Sequence, residues 1–98
     1  FAREFAEDQL IRKNIGPLRL RSELTKKQVP KTVIENVITE IYEKYDPYEL
    51  AEQVADKKLA KEKSGDYETV YRRVSNYLAR RGFSWEIISD ILEKKLHR

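Results

Sequence analysis

Apolar side chains recur at intervals of three and four residues along most of the chain, which is the period of an amphipathic helix. Residues 33–45 show it most regularly, with Val33, Ile34, Val37, Ile38, Ile41, Tyr42 and Tyr45. Turn residues interrupt the pattern, and the intervals between them predict six helices at about 1–14, 17–27, 30–45, 46–63, 66–81 and 84–96. The pattern therefore predicts an all-α protein.

Capping signals support several of these boundaries. Residues 46–49, Asp-Pro-Tyr-Glu, combine a cap, a proline at the first helical position and a carboxylate two residues later. Asp66 and Ser84 are the predicted caps of the next two helices. Gly82 is predicted to take the left-handed conformation that ends a helix. Phe83 directly precedes the Ser84 cap, where it can pack on the following helix as a hydrophobic staple.

The chain contains an internal repeat. A shift of 54 residues places Lys26-Lys27 on Arg80-Arg81 and the apolar positions of 33–38 on those of 87–92. Nearer the start of each repeat, a shift of 49 residues aligns the apolar positions better. The sequence thus predicts two tandem three-helix repeats, 1–45 and 46–98. A single repeat of about 45 residues would be only marginally stable by itself. The third helix also ends directly at the cap of the fourth, which leaves almost no linker between the repeats. We expect the repeats to pack as one elongated body.

Charge is abundant but unevenly distributed. Charged residues make up 38% of the chain and the net charge is +3. Residues 1–27 and 67–98 each carry a net +3, whereas residues 28–66 carry −3. This layout predicts surfaces of opposite sign and argues against a uniformly basic coat for nucleic acid.

The sequence offers little for catalysis. It contains no cysteine, which excludes disulfides and thiolate chemistry, and its one histidine, His97, is predicted to be a solvated tail residue. Gly16, Gly65 and Gly82 are isolated turn residues, so no loop cradles a phosphate. We predict no enzyme activity, no metal site and no cofactor. No apolar run approaches the roughly 18 residues of a membrane span, and we expect a cytoplasmic protein.

Basic side chains on the second and fifth helices are the best binding candidates. Arg19 and Lys26 share a face, as do Arg73 and Arg80 at the positions displaced by 54. An equally good explanation is that the cations of the last turns offset the carbonyl end of the helix dipole. The predicted partner-binding or DNA-binding residues are Arg12, Lys13, Arg19, Arg21, Lys26, Lys27, Arg72, Arg73, Arg80 and Arg81.

The helix–turn–helix corners invite comparison with proteins that insert their second helix into the major groove. The outer faces of the third and sixth helices argue against this, because they carry the acidic residues Glu35, Glu40, Glu43, Glu86, Asp90 and Glu93. If the protein contacts DNA, the middle helices should do so, mainly through phosphates.

Aromatic residues are mostly assigned to the core. Tyr67, Tyr71 and Tyr77 fall on the apolar stripe of the fifth helix, so we predict core packing over base stacking. Trp85 lies off the stripe of the sixth helix, where both a structural role and an interface role stay open.

Three segments, in order and at these spacings, resemble the RecX regulatory protein family. They are residues 1–6 (FAREFA), 16–24 (GPLRLRSEL) and 78–85 (LARRGFSW) with a following Ile-Ile pair. Family members usually have three such repeats, and this chain resembles the second and third, so we expect sequence N-terminal to it. Gln28 departs from the glycine that the family often has in the first corner.

The resemblance implies a non-enzymatic modulator of the RecA recombinase in DNA repair and the SOS response. Such proteins bind along the groove of RecA filaments on single-stranded DNA and generally suppress recombinase activity. A small, weakly specific DNA-binding protein without that partner is the alternative.

Overall fold

The computed structural model describes residues 1–62 and 65–96, which form six α-helices and contain no strand. The helices are α1 (Ala2–Lys13), α2 (Pro17–Lys26), α3 (Lys31–Lys44), α4 (Pro47–Lys61), α5 (Tyr67–Arg80) and α6 (Trp85–Lys95). The all-α prediction is confirmed, with each observed boundary within one or two residues of the predicted one. His97 lies outside the described residues.

Side chains cap the last three helices as the sequence indicates. The Tyr48 N–H donates to Asp46 Oδ1 at 2.9 Å, and the Thr69 N–H donates to Asp66 Oδ1 at 2.8 Å. Ser84 Oγ accepts from the Ile87 N–H at 3.4 Å. Each cap satisfies one of the N–H groups that a helix start leaves without an intrahelical partner.

The ends of α2 and α5 have the same backbone geometry, which makes the repeat visible in three dimensions. Gly82 has φ 95° and Gln28, at the equivalent position, has φ 62°. In each corner the following N–H bonds to a carbonyl five residues earlier, from Val29 to Leu24 at 3.2 Å and from Phe83 to Leu78 at 3.3 Å. Both are Schellman-type helix ends. The predicted left-handed glycine is confirmed.

The helices pack as two groups of three, α1 with α2 and α3, and α4 with α5 and α6. The whole body measures 44 × 22 × 20 Å. Its core is aliphatic apart from Phe83, and Ile15, Leu20, Leu24, Val74, Leu78, Ile88, Ile91 and Leu92 are among its least exposed side chains. The predicted elongated body is confirmed, while the division at residue 45 stays a prediction.

Some side chains predicted to be inward lie at the margin of the core. Val33 is 39% exposed, because the contact surface of α3 is centred on Ile34, Val37, Ile38 and Ile41. On α5 only Val74 and Leu78 are buried, and the predicted core tyrosines are half-buried. A tyrosine at the margin can bury its ring and keep its hydroxyl in water or against a polar group.

Candidate functional site

The two repeats meet through their turns, and this contact organises the candidate site. The Gly16 N–H donates to the Arg81 carbonyl at 2.7 Å, and the Leu18 N–H donates to the Gly82 carbonyl at 3.0 Å. Such close backbone approach leaves no space for side chains at the two glycines. A Cβ on Gly16 would lie 2.5 Å from the Gly82 oxygen. The turn between α1 and α2 is therefore bonded directly to the corner between α5 and α6.

Two of the predicted binding arginines join the repeats reciprocally. Arg81 donates from its guanidinium to the carbonyl of Lys13, the last residue of α1. Arg19 donates from Nη1 to the carbonyl of Arg80, the last residue of α5, at 3.1 Å. Carbonyls in the last turn of a helix lack intrahelical partners, and a cation there also offsets the helix dipole. Each repeat thus supplies the arginine that caps a helix of the other.

Neighbouring groups hold these two arginines in place. Arg81 Nη2 donates to the Tyr77 hydroxyl at 2.7 Å, and the guanidinium lies 5.0 Å from the centre of the Tyr77 ring. Arg19 Nε lies 3.4 Å from Glu23 on the same helix. Both guanidinium groups therefore contribute to the joint between the repeats, a role that the helix periodicity did not indicate.

A basic cleft of about 160 Å³ opens beside this joint, and we call it the junction cleft. It is lined by Arg12, Lys13, Asn14, Val54, Lys57, Tyr77 and Arg81, without a carboxylate. Arg12 forms an ion pair with Asp8 at 2.9 Å, whereas Lys57 is exposed and has no ion pair within the described ranges. Three predicted residues meet here across the repeats, and the cleft has the chemistry of an anion site.

Sequence reasoning missed Lys57 and its neighbour Lys58, which lies 5.2 Å from the Tyr77 ring centre. The Lys-Lys pair is visible in the sequence, but it falls in the segment whose net charge is negative. Only the packing of α4 beside the end of α1 brings Lys57 to the other cations.

The other predicted cations divide into paired and unpaired groups. Arg21 makes a two-pronged ion pair with Glu35 of α3, at 3.0 and 3.1 Å. This hydrogen bonding raises the pKa of Arg21 and lowers the pKa of the Glu35 carboxyl. Arg73 Nη1 lies 3.7 Å from Oε1 of Glu62, an oxygen that is buried and accepts no hydrogen bond from the described residues.

Besides the ion-paired Arg73, four predicted residues are exposed on α2, α5 or the turn after α2: Lys26, Lys27, Arg72 and Arg80. Lys27 lies 5.7 Å from the Phe5 ring centre. In the described part of the chain, no carboxylate lies within ion-pairing distance of Lys26 or Arg80. Because Arg19 bonds to the Arg80 carbonyl, the basic positions of α2 and α5 approach one another at the joint.

In the part of the chain that the structure describes, no polar or charged residue is fully buried. Across residues 1–62 and 65–96, no three His, Asp or Glu side chains are grouped to hold a metal ion. Burial raises the pKa of the Tyr42 hydroxyl, which donates to the Ile15 carbonyl at 2.8 Å. This bond ties α3 to the turn between α1 and α2. No helix within the described ranges has both the length and the hydropathy to cross a membrane.

Two family models match the chain in tandem. Residues 1–38 match the second three-helix domain of RecX, and residues 44–92 match the third. The chain is also similar to proteins named "Regulatory protein RecX". It is 33% identical to that of Pelodictyon phaeoclathratiforme over 94% of this chain and 55% of that protein. It is 40% identical to that of Vibrio vulnificus over 82% of this chain and 50% of that protein.

A third relative, from Clostridioides difficile, is 28% identical over 84% of this chain and 38% of its own length. The chain spans 38% to 57% of the length of the curated relatives it matches. No solved structure matches it significantly.

Proposed function

The chain belongs to the RecX family of regulatory proteins, and from this premise we propose that it modulates the RecA recombinase without being an enzyme itself. The proposed action is inhibition, through binding in the groove of the RecA filament on single-stranded DNA. The observation that carries the proposal is the tandem match of both repeats to consecutive RecX domains, on a body whose joint carries a basic cleft.

The charge distribution supports a polyanionic partner. A nucleoprotein filament presents phosphates, and the junction cleft is lined by four cationic side chains, of which Lys13 and Lys57 are exposed and form no ion pair with the described residues. The exposed cations Lys26 and Arg80 add positive charge on α2 and α5. Attraction between exposed charges extends over a Debye length of about 8–10 Å at ordinary salt, so a cleft placed against a filament groove would be drawn to it.

The rigid joint supports binding in a groove. The repeats are connected by the short segment between Lys44 and Pro47 and by backbone bonds between Gly16 and Arg81 and between Leu18 and Gly82. A body held in one shape loses little conformational entropy when it docks along a partner. A body 44 Å long and about 20 Å wide can lie lengthwise in such a groove.

The test is a double charge reversal, Lys57→Glu with Arg80→Glu. Both side chains are exposed and neither forms an ion pair with the described residues, so the fold should persist. Arg73 is avoided, because a carboxylate there would face the buried oxygen of Glu62. We expect filament affinity to fall about tenfold, and the salt dependence of binding to become shallower by about one to two phosphate contacts.

A matched control separates the cleft from net charge. Lys44→Glu with Lys61→Glu also reverses two exposed cations near helix C-termini and changes the net charge equally, from +3 to −1. Binding isotherms against RecA filaments across a salt series should show that the affinity of this control variant stays close to that of wild type. Equal losses in both pairs would mean that binding follows net charge alone, and wild-type binding by the Lys57/Arg80 pair would contradict the proposal.

The alternative function is weak, sequence-independent DNA binding without RecA, and the junction cleft is the observation that favours it. Bare single-stranded DNA in the same titration distinguishes the two. Affinity for bare DNA as high as for the filament would favour the alternative. An inhibitor should in addition slow RecA-catalysed ATP hydrolysis, and unchanged hydrolysis at saturation would leave binding without inhibition.

A further inference from the structure

An aromatic and acidic pocket lies between α5 and α6, at the residues that were predicted to be core or interface. A cavity of about 290 Å³ is lined by Tyr67, Glu68, Tyr71 and Glu93. The rings of Tyr67 and Tyr71 lie 5.8 Å apart, and the Trp85 ring meets Tyr71 edge-on at 6.5 Å. Trp85 itself is 61% exposed. The cavity is thus an open pocket with aromatic walls and two carboxylates at its edge.

Elsewhere in the molecule, four partly buried aromatic rings are covered by cations of the same chain, whereas the exposed Phe1 stacks on Phe5 instead. Phe5, Tyr45, Tyr48 and Tyr77 each have a Lys or Arg within 5.0 to 5.7 Å of the ring centre. A cation over an aromatic face is attracted by the ring quadrupole. In the described ranges no cation covers the half-buried Tyr71 or the exposed Trp85.

The carboxylates of the pocket are equally available. Glu68 and Glu93 are exposed and form no ion pair with any described residue. This contrasts with Glu35 on α3, which Arg21 holds, and with Glu23 on α2, which lies beside Arg19. Within the described residues, the pocket and its neighbour Trp85 therefore combine two aromatic rings without a cation, Tyr71 and Trp85, with two carboxylates that form no ion pair, Glu68 and Glu93.

We propose that this pocket binds an arginine side chain of a partner protein. The planar guanidinium stacks on aromatic faces and donates in a fork that matches a carboxylate, so it can use both kinds of pocket wall at once. A lysine ammonium can use the rings and one carboxylate at a time, and should bind less tightly. A nucleic-acid base could stack on Trp85, but its phosphates would approach Glu68 and Glu93 against their charge.

The pocket is independent of the junction cleft. It contains none of the cations assigned to filament binding, and its ligand has the opposite charge. The proposal for RecA can therefore be refuted without refuting the arginine-binding pocket, and the pocket can be refuted without refuting the proposal for RecA. Reversal of Lys57 and Arg80 should leave the pocket unaffected.

Trp85 provides a specific reporter, because it is the only tryptophan in the chain and so gives a single indole N–H resonance. The titrants are capped Gly-Arg-Gly, its lysine analogue, and its citrulline analogue, which keeps the shape of arginine without the charge. We expect a saturable shift of the indole resonance with the arginine peptide and a weaker response to lysine. The citrulline peptide should produce no shift.

Two variants locate the ligand. Glu68→Gln with Glu93→Gln keeps the shape of the pocket and should weaken arginine binding by about threefold to tenfold, as expected for partly exposed charge pairs. Tyr71→Ala should weaken it as well, and its thermal unfolding shows whether the fold persists. Glu43→Gln is the control, since Glu43 is an exposed carboxylate on α3 without an ion pair in the described structure. It should bind like wild type.

Each other result overturns the proposal. Equal shifts with arginine and citrulline would show that charge is not recognised. An unchanged affinity for the arginine peptide in the Glu68/Glu93 variant would show that the two carboxylates do not contribute to binding. A single-stranded oligonucleotide that shifts the indole resonance when the arginine peptide does not would assign the pocket to base stacking. The absence of any shift would leave the pocket without this ligand.

Discussion

Replacing Gly82 by alanine should break the joint between the repeats. Gly82 has φ 95°, and a Cβ built there would lie under 3.0 Å from the backbone nitrogen and Cα of Arg19. Those atoms belong to the first turn of α2, so the contact can be relieved only if α2 moves away from the corner. Asparagine tolerates positive φ better than other residues, but it carries the same Cβ and does not avoid this contact.

The magnitude follows from three effects. Holding an L-residue at positive φ costs about 1–2 kcal/mol, and overpacking a tight contact costs about 1–3 kcal/mol. Displacing α2 also weakens the bonds from Gly16 to Arg81 and from Leu18 to Gly82, each worth about 0.5–1.5 kcal/mol. Because movement of α2 relieves part of the overlap, we expect a loss of about 3–5 kcal/mol. That is a large fraction of the roughly 5–15 kcal/mol typical of a folded protein.

Urea unfolding followed by circular dichroism measures the loss, and Gln28→Ala is the matched control. Gln28 occupies the equivalent corner at φ 62°, is exposed and already carries a Cβ, so its replacement should change stability by less than about 0.5 kcal/mol. The Leu18 amide should also lose protection from hydrogen exchange in Gly82→Ala, since it donates to the Gly82 carbonyl. Wild type should unfold in one transition.

The reasoning is refuted if Gly82→Ala and Gln28→Ala destabilise the protein equally, because neither the positive φ of Gly82 nor its contact with Arg19 would then cost more than trimming an exposed side chain. A loss below about 1 kcal/mol would mean that the corner accommodates a methyl group without moving α2. Two separate transitions in wild type would show that the repeats do not depend on each other.

Two further predictions concern single polar contacts. Tyr42→Phe leaves the carbonyl of the fully buried Ile15 without its hydrogen-bond donor, so the free energy of unfolding should fall by about 1–3 kcal/mol in the same urea assay. An unchanged unfolding midpoint would mean that another donor replaces the hydroxyl. Hydrogen bonds to Thr69 lower the pKa of Asp66, so the stability due to this carboxylate is present above its unfolded pKa of about 3.9 and is lost as the pH falls through its folded pKa. Asp66→Asn keeps a capping oxygen without that titration, and should lose less stability than wild type on acidification below about pH 4; identical acid profiles would contradict this assignment.

Several features of this fold depend only on residues close together in the sequence. The six helices, the caps Asp46, Asp66 and Ser84, and the left-handed end at Gly82 follow from apolar periodicity and from local hydrogen bonding. The repeat shift placed Gln28 on Gly82, and both positions have positive φ. These elements are encoded over a few residues each, which is why they could be predicted before any packing was known.

The roles of the surface cations depend instead on how the two repeats pack. Arg19 and Arg81 share periodic positions with other exposed cations, but the docking of the repeats turns both towards helix carbonyls in the opposite repeat. The same docking brings Lys57 to the junction cleft from a segment that is acidic on average. Contacts of this kind join residues more than 40 positions apart, and no local pattern encodes them. They depend on the distance between two backbones, which only the folded chain establishes.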